Sequence, residues 1–401
     1  MTNATSDGRT LDPLGADVLP PGIGARFVDG VNGLRVHLLE AGRPEHPCVL
    51  LLHGFPELAW SWRKVMPALA EAGYYVIAPD HRGHGRTTGW DPDYDGDLAS
   101  FRTMNLVRDV VGLLAALGRT TVVAVVGHDS GAGVAAWCAL LRPDMFRSVV
   151  LMSAPFAGPP SLESPPSLAS RPSLASPPGL RSPSVAAAPV EDIHTALAGL
   201  ERPRKHYQWY YGTREANADM MRCRQGVHDF LRAYYHHKSA DWPGNQPFRL
   251  AAATAAEMAR MPTYYIMDLD RDMAQTVAAE MPSPQAVAAC RWLPDDELRV
   301  YSREYERTGF QGGLQWYRCR TQGIGNQELQ IFAGRSIDVP SLFIAGAQDW
   351  GIYQTPGAIE RMQASACTQM RGCHLVNSAG HWVQQENPAD LISLLLPFLR
   401  G

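Results

Sequence analysis

Thr121-Val122-Val123-Ala124-Val125-Val126-Gly127-His128-Asp129-Ser130-Gly131-Ala132 runs from an unbroken apolar segment into a glycine-flanked turn, and 133–141 then has helical character. An apolar run of this kind is the signature of a strand buried on both faces of a parallel sheet. A side chain displayed at a sharp strand-to-helix turn needs small residues two places before and after it, because the backbone is strained and chains approach closely. Gly127 and Gly131 hold those places around Asp129, and Ala132 follows. Ser130 is flanked at the same spacing by His128 and Ala132, so it does not make the G-x-S-x-G of a serine nucleophile. The competing reading of Asp129 is a cap on the following helix.

Outward from this turn the same alternation recurs. Cys48-Val49-Leu50-Leu51-Leu52 is a continuous apolar run, and 74–78 is another, ending in Pro79-Asp80-His81-Arg82-Gly83-His84-Gly85. Residues 105–117 carry Leu106, Val110, Leu113, Leu114 and Leu117 at helical spacing and stop at Gly118. With a further strand at Val149–Met152, strands alternate with helices, which predicts an α/β fold with a mostly parallel sheet covered on both sides. After Pro155 the pattern breaks. Residues 157–190 are mostly Pro, Ser, Leu, Ala and Gly, and Pro-Ser-Leu-Ala-Ser occurs at both 166–170 and 172–176. Such a composition buries too little apolar surface to offset its ordering entropy, so a flexible low-complexity insertion is expected, with a docking tail as the alternative. Residues 191–336 are helical in character and dense in aromatics; strands return at 341–345 and 375–377, and a helix at 391–399 closes the chain. The economical division is a polar start at 1–25, one α/β core at 26–156 and 337–401, and an inserted helical cap at 191–336.

The chemistry-bearing residues fall at the ends of these strands. His53-Gly54-Phe55-Pro56 follows a buried run directly. In such a fold that loop lies beside the turn at Asp129, and the amides of Phe55 and Ser130 would make an oxyanion hole. A plain Gly-Pro turn is the alternative. The partners of the nucleophile should follow in the order acid, then histidine. Asp349 comes after the strand at 341–345, and His381, in Ser378-Ala379-Gly380-His381-Trp382, lies in the loop before the last helix. Both stand at carboxyl ends of strands, where ligands sit in open α/β sheets.

The carboxylate selects the reaction. Serine attack on a saturated carbon would leave an ether, which water does not readily cleave. Attack by Asp129 leaves an alkyl ester, and His381, oriented by Asp349, can then activate water against its carbonyl. Displacement at saturated carbon is the expectation, by opening an epoxide or expelling a halide.

Composition narrows the partners. At 401 residues, with 45% apolar and 19% charged, the chain can bury a sizeable core. A net charge of −4 supplies no field to draw nucleic acid or an anionic membrane, and a small neutral substrate is unopposed. Residues 1–21 lack the basic-then-apolar run of a leader, and no stretch approaches the roughly 20 apolar residues of a membrane span. Seven scattered cysteines without a CxxC pair fit reduced thiols and a cytoplasmic location. His81 with His84, and His236 with His237, lack the matched ligands of a metal motif, so neither metal nor cofactor is expected. Monomer and homodimer both stay open.

His53-Gly54-Phe55-Pro56, Gly127-His128-Asp129-x-Gly131-Ala132 and Gly380-His381-Trp382 together resemble the motifs of epoxide hydrolases of the α/β-hydrolase superfamily. The resemblance implies an α/β-hydrolase fold whose cap supplies two tyrosines that donate hydrogen bonds to the epoxide oxygen. Tyr207, in His206-Tyr207-Gln208-Trp209-Tyr210, is similar to the first, with Tyr210 and Tyr211 as competitors. Tyr317, in Thr308-Gly309-Phe310-Gln311-Gly312-Gly313-Leu314-Gln315-Trp316-Tyr317-Arg318, is similar to the second. A packed aromatic with a polar tip is the plain reading of either. Pro56, Trp209 and Trp316, beside these motifs, are the candidate substrate contacts. Haloalkane dehalogenases share the layout but hold halide with a Trp after the nucleophile and an Asn or Trp elsewhere, where this chain has Ser130 and Phe55. Fluoroacetate-type dehalogenases carry an Arg after the nucleophile, and Ser130 cannot grip a carboxylate as Arg would. A non-catalytic binder on the same fold is the rival of another class.

Overall fold

The computed structural model describes residues 11–162 and 192–401, so the tandem Pro-Ser-Leu-Ala-Ser segment lies outside the described residues. Among the described residues ten strands follow in chain order: β1 (Ile23–Val31), β2 (Leu34–Ala41), β3 (Cys48–Leu52), β4 (Tyr75–Pro79), β5 (Ala124–His128), β6 (Val149–Met152), β7 (Arg204–His206), β8 (Ile266–Asp268), β9 (Ser341–Gly346) and β10 (Met370–Val376). Eight of them form one sheet in the order β1-β2-β4-β3-β5-β6-β9-β10, and β7 pairs with β8 apart from it. From β4 to β10 the neighbours are parallel; β2 runs antiparallel to β1 and β4.

The sheet is buried because its strands are apolar on both faces. Leu50, Leu52, Val125, Val149, Leu151 and Phe343 point into one core layer with Leu106, Val110 and Trp137 of the helices Thr103–Ala116 and Ser130–Leu141. Their neighbours Val49, Leu51, Val126, Val150 and Ile344 point to the other, against Leu391 and Leu395 of the closing helix Pro388–Arg400. This is the two-residue side-chain period of a strand packed from both sides.

The β1–β2 hairpin is a departure from the sequence reading, which placed 1–25 outside the core and named no strand before Cys48. Its turn is Asn32-Gly33, with φ of 50° and 80°, the left-handed pair that a tight two-residue hairpin demands. At the far edge, β10 is longer than the 375–377 expected. Its side chains are mostly half-buried or exposed, so no apolar run marks it.

Between β6 and β9, residues 192–336 build helices and the small β7–β8 pair. They bury their own apolar cluster, joined by Phe55, Leu58, Trp60, Trp350 and Trp382 from the loops at the carboxyl ends of the sheet. Polar ties reinforce that contact: Tyr235 Oη donates to the Pro56 carbonyl at 3.1 Å, and Trp316 Nε1 donates to the Arg82 carbonyl at 3.0 Å. No helix among the described residues is long and apolar enough to cross a membrane.

Candidate active site

β5 carries the chain straight to Asp129, which adopts φ 51° and ψ −120° before the helix Ser130–Leu141 begins. Such a dihedral pair is costly for a residue with a Cβ and persists only where the surroundings over-determine it. The surroundings here are close. A Cβ on Gly127 would stand 2.3 Å from the Gly131 carbonyl oxygen, and one on Gly131 would stand 2.4 Å from that of His53. The turn therefore needs glycine at both places. The Asp129 carboxylate makes no capping bond to the helix it precedes, so the cap reading does not describe it.

Instead, the carboxylate meets two groups from other loops. The Phe55 amide donates to Oδ1 at 3.2 Å. His381 Nε2 stands 3.3 Å from Oδ2, without the alignment of a hydrogen bond. His381 Nδ1 lies 3.1 Å from Asp349 Oδ1, which also accepts the Gly351 amide at 2.7 Å. The loops after β3, β5, β9 and β10 thus bring Phe55, Asp129, Asp349 and His381 to one point. The Ser130 amide, first in the helix, donates to no group among the described residues.

The charges are arranged to persist. Burial opposes ionisation of Asp129, but the His381 imidazole beside it outweighs that cost and holds the carboxyl below its usual range. Burial works against Asp349 in the same way, and His381 again wins. For His381 itself burial and then Lys238 disfavour the imidazolium; Asp349 and Asp129 prevail, and its pKa is raised. Two oppositely charged groups in contact favour the ionised form of each.

Tyr207 and Tyr317 are both buried, with rings 5.9 Å apart and Phe55 5.5 Å from Tyr317. Burial, then the Asp129 carboxylate, pushes Tyr207 up to about 12 and Tyr317 well above its ordinary value. Both phenols therefore keep their protons in the field of Asp129. The competitors are engaged elsewhere: Tyr210 Oη donates to Asp219 at 2.8 Å, and Tyr211 Oη to Tyr234 Oη at 3.1 Å.

A cleft of about 290 Å³ reaches Asp129 and Ser130, walled by Phe101, Trp137, Phe156 and Trp316. Of the three expected substrate contacts, only Trp316 lines it. Trp209 lies away from this cleft. It is 40% exposed and packs on His194 and His206, because two residues along a helix rotate a side chain about 200° away from Tyr207. Pro56, in a cis peptide after Phe55, is buried and serves through its carbonyl, which Tyr235 binds.

Three residues went unread in the sequence. Glu57 is wholly buried, its Oε2 2.5 Å from His128 Nδ1, while His128 Nε2 lies 2.7 Å from the His381 carbonyl oxygen. Glu386 accepts the amides of Gly380, Trp382 and Ala240, stitching the His381 loop to the helical segment. Lys238, ending the helix Gly226–His237, is 3% exposed, and its carbonyl accepts the His381 amide at 2.9 Å. Only the His128-Asp129 dipeptide offered a signal, since a histidine beside a buried turn carboxylate needs a partner; Glu57 and Glu386 look like ordinary surface acids in one dimension.

The family model described as alpha/beta hydrolase fold matches residues 47–197. Epoxide hydrolase A of Mycobacterium tuberculosis is 32% identical over 94% of this chain and 97% of its own length. Among solved structures, an epoxide hydrolase from an endophytic Streptomyces superposes with a TM-score of 0.73 at 30% identity, covering 95% of this chain and 96% of that one. Potato (Solanum tuberosum) epoxide hydrolase I superposes with a TM-score of 0.68 at 28% identity, covering 94% and 99%.

Proposed function

The chain belongs to the epoxide hydrolase family of the α/β-hydrolase superfamily, and we propose that it converts an epoxide to a vicinal diol through a covalent ester on Asp129. In this reading residues 192–336 are a cap, and its Tyr207 and Tyr317 donate hydrogen bonds to the epoxide oxygen. Oδ2 of Asp129 attacks one ring carbon. The carbon–oxygen bond breaks, its electron pair goes to the oxygen, and a phenol proton neutralises that oxygen as it becomes strongly basic. Water then attacks Cγ of the ester and gives a proton to His381 Nε2, with Asp349 holding the ring. The Phe55 amide already bonds Oδ1, the atom on which the tetrahedral intermediate gathers charge, and the Ser130 amide is the second donor. Collapse passes the Cγ hydroxyl proton to the departing oxygen, expels the diol and regenerates the carboxylate beside the protonated His381; the phenolate left by ring opening has already taken its proton back from the resting imidazolium.

The observation that carries this reading is the nucleophile's own geometry: a carboxylate at positive φ, an amide on one oxygen and a histidine–aspartate pair facing the other. Apolar and aromatic walls favour an apolar epoxide. A single turnover of styrene oxide in ¹⁸O-water tests it. Label should enter the Asp129 peptide, and the first diol should stay unlabelled. A diol labelled at once means direct attack by water and ends the ester mechanism. Halide released from a haloalkane faster than diol forms from every epoxide tried would put dehalogenation in its place.

A further inference from the structure

Lys238 is in an unusual position for a lysine. It is 3% exposed, yet among the described residues its ammonium has no carboxylate within ion-pair distance and no hydrogen-bond acceptor. It is boxed by ring faces instead: Nζ lies 5.1 Å from the centroid of Tyr265, 5.4 Å from Trp382, 5.6 Å from Tyr234 and 5.8 Å from Tyr264. Aromatic faces attract a cation, but they do not replace the hydrogen bonds of water, and a methionine would fill the same box without that loss. A purely structural role therefore does not account for the charge.

The box is fixed relative to the catalytic histidine. The Lys238 carbonyl holds the His381 amide at 2.9 Å, and the Trp382 ring that faces Nζ sits 4.7 Å from the His381 ring. The charged and titratable groups around His381 are Asp129 after β5, Asp349 after β9, His128 within β5 with its ring 4.9 Å away, Lys238, and Glu386, which accepts the Gly380 and Trp382 amides on either side of His381 and is pushed up to about 7 by burial. Glu57 stands behind His128 and pairs with it.

Resting on the ester reading above, we propose that Lys238 is a positioning residue of the second half-reaction: its caged ammonium holds His381 in the neutral, proton-accepting form once Asp129 has become an ester. The reasoning is a count of charges. In the resting site two carboxylates face His381 against one ammonium, and the imidazolium is favoured. Esterification makes Asp129 neutral. One carboxylate then faces one ammonium, and burial, which always disfavours the charged ring, decides the balance. His381 gives its proton to the phenolate left by ring opening, and so becomes a base at the moment when water must lose a proton to its Nε2. The nucleophile's own charge is the trigger, and Lys238, whose ammonium burial disfavours and Asp129 and then Asp349 support, supplies the bias against which it acts.

The test is rapid-quench single turnover of styrene oxide from acid to alkaline pH with Lys238→Met and Lys238→Arg, following ester on the Asp129 peptide and diol separately. Without the ammonium the imidazolium is more stable, so the acid limb of ester hydrolysis should move up by about one pH unit. On the acid side of that limb hydrolysis should fall roughly tenfold, while on the alkaline plateau it stays within about twofold. Lys238→Arg should restore the limb. Lys238→Gln makes the same comparison if the methionine variant does not fold. A hydrolysis rate lowered equally at every pH, or a limb that does not move, overturns the proposal. If the unmodified enzyme forms no ester at all, the underlying reading fails first and takes this one with it, so the two failures are told apart.

Discussion

A phenol can polarise an epoxide oxygen only if its proton is on and its hydroxyl is not already committed. Tyr207 and Tyr317 meet the first condition because burial and the Asp129 charge both raise them. With Tyr207 pushed up to about 12, its protonated form persists through neutral and mildly alkaline pH, so this residue should contribute no basic limb there. Tyr210 and Tyr211 fail the second condition, since they donate to Asp219 at 2.8 Å and Tyr234 at 3.1 Å, whereas Tyr207 donates only at 3.5 Å, to Gln354. The expectation for single substitutions follows. Tyr317→Phe and Tyr207→Phe should each slow ester formation by about 10²-fold, the usual loss for one preorganised donor, while Tyr210→Phe stays within a few-fold of the parent. Pre-steady-state rates of ester formation decide it. A Tyr317→Phe variant that alkylates within twofold of the parent would remove that phenol from the reaction.

At the scale of elements, legibility followed burial. The runs at Cys48–Leu52 and Val149–Met152 were readable because both faces of those strands are covered, so every position is apolar. The β1–β2 hairpin and β10 have one open face or edge, and their mixed side chains hide them, although Asn32-Gly33 was a turn signal in plain view. That Asp129, Asp349 and His381 would meet was legible because strand ends and glycine register constrain them. Lys238, Glu57 and Glu386 were not, because only tertiary packing makes them buried, and Trp209, a motif neighbour of Tyr207, faces outward. The elbow helix offers a paired check of the register argument. A Cβ at Gly131 would meet backbone oxygens of His53 and Leu52 at 2.4 and 2.6 Å, whereas one at Gly133 meets nothing within 4 Å. Gly131→Ala should therefore cost about 1–3 kcal/mol by overpacking. Gly133→Ala, inside the helix Ser130–Leu141, should gain roughly 0.5–1 kcal/mol from helix propensity. Urea unfolding of the two variants measures both; equal effects would mean that the close approach at Gly131 does not constrain the turn.

Across the whole molecule, the buried titratable groups set how stability depends on pH. His84, His206 and His237 lie in separate parts of the fold, and burial, the largest cause in each, lowers all three to about 3. His53 and His81 move in the same direction for the same reason. A lowered imidazole is neutral in the folded state, while the unfolded chain takes up its proton near the ordinary value of about 6.5. The stability such groups contribute is therefore complete above that value and drains as pH falls toward 3, at about 1.4 kcal/mol per group for each pH unit. Lower down, Glu57 adds to the loss. Burial alone would raise it, but His128 outweighs burial and holds it near 2, so its contribution disappears as pH falls from about 4.5 through 2. Three groups act in the opposite sense. His381 is raised, Glu386 is pushed up to about 7 by burial and Asp109 is raised by burial, so acid favours the folded protonation state of each. With His236 also lowered by burial, six lowered histidines outweigh these three. Folded proteins hold only about 5–15 kcal/mol in reserve, so the urea midpoint should fall markedly between about pH 7.5 and pH 5, well before any carboxylate of ordinary pKa is protonated. The same midpoint at both pH values, or a higher one at pH 5, would show that these imidazoles are not held neutral by the fold. Glu57→Gln separates the lower window from the upper: it should lower the midpoint at neutral pH and flatten the remaining loss below about pH 4.5, leaving the decline above it unchanged.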